Sequence, residues 1–236
     1  MPSSRAIPSF EEAWPRIAEI PGWLTLDQAR ELFRLAREGA TDIVEIGSHQ
    51  GRSTVTLALA GDGRVTAVDP FITARLFAGP SVRSLLLRNL AAAGVRERVD
   101  VVTTTSADAF SRWPSSRTVD LVYVDGKHDV ASLLRDLRWA VHVRPGGYVV
   151  VHDAFSSVGV TVGMLLLLPV ARRLALTHRV GSLAVLRVRP PTLRERLRIV
   201  IHLPWFTRNV MIKLLLRAGL TNVTARLGHT GIYDPY

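Results

Sequence analysis

Two short runs place carboxylates and imidazoles where an apolar strand would stop. In DLVYVDGKHDV the apolar stretch ends at Asp125, Gly126 turns the chain, and His128 and Asp129 follow at once. In YVVVHDAF a second apolar stretch ends at His152 and Asp153. Such a set has two chemical uses. Asp125 and Asp153 suit a hard divalent cation such as Mg²⁺, Mn²⁺ or Ca²⁺, with His152 as a further ligand, a second base or a structural donor. Alternatively the set does acid/base work, and His128, titrating near neutrality, takes a hydroxyl proton. Strand-end caps and ion pairs to arginine are the plain alternative, which weakens because the polar exceptions share one edge.

A third run, DIVEIGSHQGRSTVTLALA, ends an apolar stretch at Gly47 and opens a helix after Gly51. Gly47 lets the backbone turn and approach a ligand, and the helix start at Ser53 and Thr54 offers hydroxyls and free N–H groups to an anionic group. Ser48 and His49 stand where a dinucleotide loop needs its second glycine, so a pyrophosphate is not the expected guest. Asp69, closing VTAVDP, lies where a carboxylate commonly takes ribose hydroxyls, and with the two glycines it favours a nucleoside site. Ser106 and Asp108, in TTSADAF, either address a base edge or cap the helix that follows.

The elements that must position these residues alternate. Strands are expected at Ile43–Ile46, Arg64–Val68, Val99–Thr103, Leu121–Val124 and Tyr148–Val151, with helices at Ser53–Ala60, Ser81–Ala93, Ala107–Trp113 and Ala131–Val143 between them. This α/β pattern predicts a parallel sheet covered on both faces, with ligands at the carboxyl ends of its strands. Arg144–Val151 reads as a helix stop, a turn and a strand, and Leu174–Thr177 with Leu183–Arg187 reads as an antiparallel pair closing the sheet. Before the sheet, residues 1–23 read as an irregular proline-rich lead-in. Thr25 and Gln28 then form a capping box for a helix closed by Gly39. The predicted organisation is a helical lead-in over 1–40, a ligand-binding domain over 41–188 and a basic helical extension over 189–236.

The extension carries much of the charge. The chain has a formal net charge of +10, and from Arg187 onward nine basic residues face two acidic ones. Two amphipathic helices, separated by Pro204, are expected there. They either cap the domain or form a membrane-surface or partner-binding element. The apolar run Val162–Val170 is too short to span a bilayer and reads as a buried helix. The N-terminal residues show no apolar signal-peptide core. With no cysteine, thiolate metal sites and disulfides are excluded. Cytoplasmic placement is expected, with the tail touching the inner membrane face as the peripheral alternative.

VEIGSHQGRSTVTLALA, VTAVDP, DLVYVDGKHDVASLLRDLRWAVHVRPGGYVVVHDAF and HRVGSLAV together resemble class I S-adenosylmethionine-dependent methyltransferases. The group most similar is the small bacterial O-methyltransferases with a D-G-x-H motif, among them enzymes of sugar, antibiotic and polysaccharide pathways. The resemblance implies a Rossmann-like, doubly wound, mostly parallel seven-stranded sheet whose last strand is antiparallel. It implies that Glu45, Gly47, Ser48, Gly51 and Ser53 hold the methionine end of S-adenosylmethionine, the Glu45 carboxylate reaching the ligand's ammonium directly or through water and Ser53 lying near the ligand's carboxylate. Asp69 then takes the ribose, Ser106 and Asp108 the adenine, and Asp125 borders the cofactor. It further implies that Asp125, His152 and Asp153 hold Mg²⁺ or Mn²⁺ while His128 acts as base. Two positions depart from the pattern: His152 replaces an acidic residue, and Val130 a tyrosine. The expected acceptor is a small hydroxylated molecule, a sugar or glycan first. A phenolic or antibiotic scaffold is the enzymatic alternative, and a non-catalytic module docking through its basic tail is the alternative from another class. No nucleic-acid module is present, so no specific nucleic-acid partner is expected. A homodimer is compatible with the sequence.

Overall fold

The computed structural model describes residues 7–72 and 81–229 of the 236-residue chain. Short β-branched runs form one seven-stranded sheet: β1 (Asp42–Ile46), β2 (Arg64–Val68), β3 (Val99–Val102), β4 (Val119–Val124), β5 (Val143–Val151), β6 (Leu174–Val180) and β7 (Leu183–Val188). The spatial order is β3-β2-β1-β4-β5-β7-β6. Pairs among the first five strands are parallel, and β7 runs antiparallel to both neighbours. The antiparallel pair is present as expected. It turns through Gly181 (φ 56°) and Ser182, but β7 inserts between β5 and β6, so β6 forms the edge.

Strands that are apolar on both faces need cover on both. Ile43, Leu121, Tyr123 and Val150 face a core built with α1 (Phe10–Ala18), α2 (Leu26–Arg37), α3 (Arg52–Leu59) and α4 (Val82–Ala92). Their neighbours Val44, Val122, Val124 and Val149 face the other core, with α5 (Ser106–Arg112), α6 (Val130–Asp136) and α7 (Val158–Leu167). One step along a strand changes the core a side chain enters, which fixes the register of every strand.

Several expectations need correction. Residues 1–23 are not wholly irregular: α1 starts at a capping box in which Ser9 receives the Glu12 amide and Glu12 receives the Ser9 amide. Phe10, Ala13 and Ile17 then bury one helical face despite Pro15. The helix expected over Ala131–Val143 is α6 followed by a 3₁₀ turn, Leu137–Val141. Pro145-Gly146-Gly147 is not a separate turn but lies within β5, where the pairing with β4 shifts register. Pro204 does not divide two helices. It sits in the first turn of α9 (Leu203–Arg217), where a missing N–H breaks no helical bond. A 3₁₀ segment, Arg198–His202, joins α8 (Leu193–Leu197) to α9, so Leu193–Arg217 runs as one rod of 25 residues. α10 (Thr221–Arg226) follows.

The C-terminal rod is docked on the domain. Ile199 and Ile212 are buried, and Asn209 Nδ2 donates to the Phe155 carbonyl at 3.1 Å, just beyond the end of β5. Arg179 of β6 lies 4.1 Å from the Trp205 ring centre and donates to His202 at 3.1 Å.

Candidate active site

Parallel register brings the polar residues together. Ile46 of β1 pairs with Val124 of β4, and Val124 pairs with Val151 of β5. The next residues, Gly47, Asp125 and His152, therefore stand side by side at the carboxyl edge. Each strand end is tied to its neighbour: Gly47 N donates to Val68 O at 2.9 Å, Asp125 N to Ile46 O at 2.8 Å and His152 N to Val124 O at 2.9 Å. Gly47 has φ 85°, and a methyl group on it would meet the Asp125 carbonyl at 2.0 Å. No side chain fits there, which is the physical reason for glycine.

The glycine loop is locked from three sides. Asp69 Oδ2 accepts the amides of Ser48 and His49, both at 2.9 Å, and its Oδ1 accepts that of Phe71 at 2.7 Å. Asn89 Nδ2 donates to Gln50 O at 2.8 Å, and Gly51 (φ 93°) starts α3. Asp69 thus fastens the loop while keeping further acceptor capacity. Glu45 is turned inward and fully buried: Ser53 and Thr54 each donate a hydroxyl to it at 2.5 Å. Burial outweighs these donors and raises the Glu45 carboxyl to about 7. Ser53 is spent on Glu45 rather than pointed at a ligand carboxylate, and the buried Ser48 hydroxyl also stands on the Glu45 side of the loop. Ser106 accepts the Trp139 indole N–H at 3.0 Å. Asp108 is exposed and accepts the hydroxyl of Thr105, the N-cap of α5, at 2.7 Å.

The acid–imidazole cluster forms as the strand ends suggest. His128 Nε2 lies 3.1 Å from Asp153 Oδ2 and 3.7 Å from Asp125 Oδ1, and His152 Nδ1 lies 3.4 Å from the same Asp125 oxygen. Asp129 is apart from it, capping α6 through Ser132. Asp153 adopts φ 56°, a left-handed conformation that aims its carboxylate back across the edge. Desolvation opposes ionisation of Asp125, but His152 and His128 together hold its carboxyl well below the usual range. Desolvation likewise opposes charge on His152, yet Asp125 and Asp153 raise it to about 10. Asp125 foremost, with Asp153, also lifts His128 above its ordinary value.

Asp125, His152 and Asp153 offer two carboxylate oxygens and an imidazole nitrogen within 4.8 Å of one another, and Asp153 Oδ1 is buried 3.6 Å from His152 Nδ1. That donor set fits Mg²⁺ or Mn²⁺. The cluster also balances with no cation when His152 carries both protons.

Sequence reasoning missed two supports. Gln28 was read only as a capping residue. Its Oε1 accepts the Thr25 amide at 3.0 Å and lies 3.4 Å from His152 Nε2, while its Nε2 donates to Ser182 at 3.0 Å. Tyr123 donates its hydroxyl to Asp125 Oδ2 at 3.2 Å, and burial foremost keeps the phenol protonated. Beside His128 and Asp153 opens a cavity of about 340 Å³ whose far wall is α9, through Val210, Lys213, Leu214 and Arg217. On the glycine-loop side, Pro21–Leu24 and Gly47–Gln50 enclose only about 30 Å³.

Residues 44–154 match a family model described as a methyltransferase domain. Solved structures with the same fold include the O-methyltransferase TomG of Streptomyces achromogenes, involved in tomaymycin synthesis and determined with S-adenosylmethionine. It is 24% identical, with 76% of this chain and 89% of that chain covered at a TM-score of 0.56. The Bacillus cereus O-methyltransferase, in complex with S-adenosylhomocysteine, is 21% identical over 78% of this chain and 93% of that one, with a TM-score of 0.56. Cofactor-bound Rv0187 from MTB is 24% identical over 75% and 88%, with a TM-score of 0.59. No curated protein matches the chain. Residues 44–154 thus match a methyltransferase-domain model, and the chain has the Rossmann-like fold seen in these solved O-methyltransferases.

Proposed function

We propose that the protein transfers a methyl group from S-adenosylmethionine to a hydroxyl of a small acceptor, a sugar or glycan in the leading reading. The observation that carries this is the strand register, which sets the Gly47 loop, Asp125 and the His128 imidazole along one edge beside a 340 Å³ cavity. The Gly47–Gly51 loop, with the buried Ser48 hydroxyl, would hold the methionine end of the cofactor, and Glu45 would act from behind Ser53 and Thr54. Asp69 would serve the ribose, and Ser106 with Asp108 the adenine. The cofactor supplies a methyl group on a sulfonium. The acceptor oxygen forms its bond to that carbon as the carbon–sulfur bond breaks, sulfur keeps the electron pair, and the hydroxyl proton passes to His128 Nε2.

Asp125, His152 and Asp153 would hold a divalent cation, which supplies electrostatic stabilisation of the developing alkoxide. Positive charge there also lowers the proton affinity of His128, leaving it neutral and able to accept. The polar wall of His128, Ser156, Ser157 and Lys213 supports a sugar. The likeness to TomG, which is involved in tomaymycin synthesis, supports the second reading, a phenolic or antibiotic scaffold. Incubation with labelled S-adenosylmethionine and a panel of sugars and phenols, with and without Mn²⁺, tests both. Label in neither class, with cofactor bound, rejects the acceptor reading.

A further inference from the structure

The rod from Leu193 to Arg217 turns an apolar side to solvent. Leu193, Leu197, Val200, Pro204, Thr207, Met211 and Leu214 follow at alternating steps of four and three residues, which lines side chains along one face of a helix. Leu193 is 73% exposed, Leu197 56%, Met211 49% and Leu214 57%, and Ile201, at 68%, widens the stripe. The opposite side already buries Ile199, Asn209 and Ile212. Exposed apolar side chains along the outer side of a docked helix, interrupted here at Thr207, mark an interaction surface.

Charge selects the occupant. The rod carries Arg194, Arg196, Arg198, Arg208, Lys213 and Arg217, and its one acid, Glu195, is paired with Arg189 at 2.5 Å. A second copy laid on this face would bring arginines against arginines, whereas an anionic lipid surface complements them. The rod is long and apolar enough to cross a bilayer by length and composition. Its seven charged residues and the packing of Ile199 and Ile212 instead fit a helix lying in the interface plane. We propose that the Leu193–Leu214 stripe and its flanking arginines dock the protein on an anionic phospholipid membrane. Leu214 belongs both to the stripe and to the wall of the cavity beside His128, so docking sets the cavity at the membrane surface.

The test is co-sedimentation of the full chain with phosphatidylcholine vesicles, and with vesicles in which roughly one lipid in three is phosphatidylglycerol. A Leu197→Glu/Met211→Glu variant is carried in parallel. Expected are pelleting with the anionic vesicles only, weakening at about 0.5 M salt, and a loss of about tenfold or more in the variant. Calorimetric titration of both proteins with S-adenosylmethionine checks folding and stands or falls separately from docking. Equal pelleting of parent and variant overturns the proposal. So does a parent that ignores vesicles, including one that light scattering finds as a dimer and the variant as a monomer, which would assign the stripe to a second copy.

Discussion

His128 Nε2 stands 3.1 Å from Asp153 Oδ2, across the gap between the ends of two adjacent strands. The imidazole is half-exposed, and it borders the cavity that α9 closes. The ring that meets the acid cluster thus also borders the cavity. His128→Ala should cut turnover by about 10²- to 10⁴-fold, the usual range for a lost general base, with cofactor affinity within about twofold. Steady-state kinetics and calorimetry on the same protein check this. Turnover at the parent rate would end the base assignment.

Asp153 offers a substitution that separates charge from backbone. Its φ of 56° is a conformation asparagine also adopts readily, so Asp153→Asn keeps the turn while removing the carboxylate. If the cluster holds a cation, chelation of the parent should lower activity about tenfold or more and Mn²⁺ should restore it, while Asp153→Asn should lose that response. Its melting temperature should rise or fall by no more than about 3 °C. Parent activity indifferent to chelator would leave His152 as the positive partner of both carboxylates.

The legible part of this site was whatever one strand could declare alone. Each apolar run that stopped at Gly47, Asp69, Asp125 or His152 named its own carboxyl end, and parallel pairing does the assembly. The direction of Glu45 was not legible, because a mid-strand side chain takes its partners from whichever helix covers that face. Here α3 supplies Ser53 and Thr54. Gln28 showed only its local bond to Thr25. Its second role joins His152 and Ser182, more than a hundred residues away, and no short pattern encodes that. The α1 capping box was present as S-x-x-E but was hidden among prolines. Pro204 misled because proline breaks a helix interior yet suits a first turn.

Gly47 and Gly146 make a matched pair. Both have positive φ, 85° and 80°, but a methyl group at Gly47 would strike the Asp125 carbonyl whereas one at Gly146 would meet nothing within 4 Å. Gly146→Ala should cost about 1 kcal/mol, the backbone strain alone. Gly47→Ala should cost about 3 kcal/mol or more, since the strand ends must separate, and cofactor binding should go with it. Urea unfolding of both variants checks the difference. Equal losses would mean that the contact between the Gly47 loop and Asp125 is soft.

Glu45 predicts a stability profile opposite to that of an ion-paired carboxylate. Its folded-state carboxyl is raised to about 7 from an ordinary 4.5. Below the lower value both folded and unfolded chains hold the proton, and its stabilising contribution is fully present. As pH rises toward 7 the unfolded chain releases the proton first, so stability is lost across that window and the loss is complete above it. At about 1.4 kcal/mol per pH unit, a fully buried group sets an upper bound near 3 kcal/mol. Glu45→Gln keeps the size and an acceptor for Ser53 while removing the charge. It should therefore be more stable than the parent by about 1 to 3 kcal/mol at pH 8 and no more stable at pH 4.5, as read from denaturant unfolding at each pH. A variant weaker than the parent at pH 8 would show instead that Ser53 and Thr54 hold an ionised carboxylate, and the bonds they donate would then outweigh its burial.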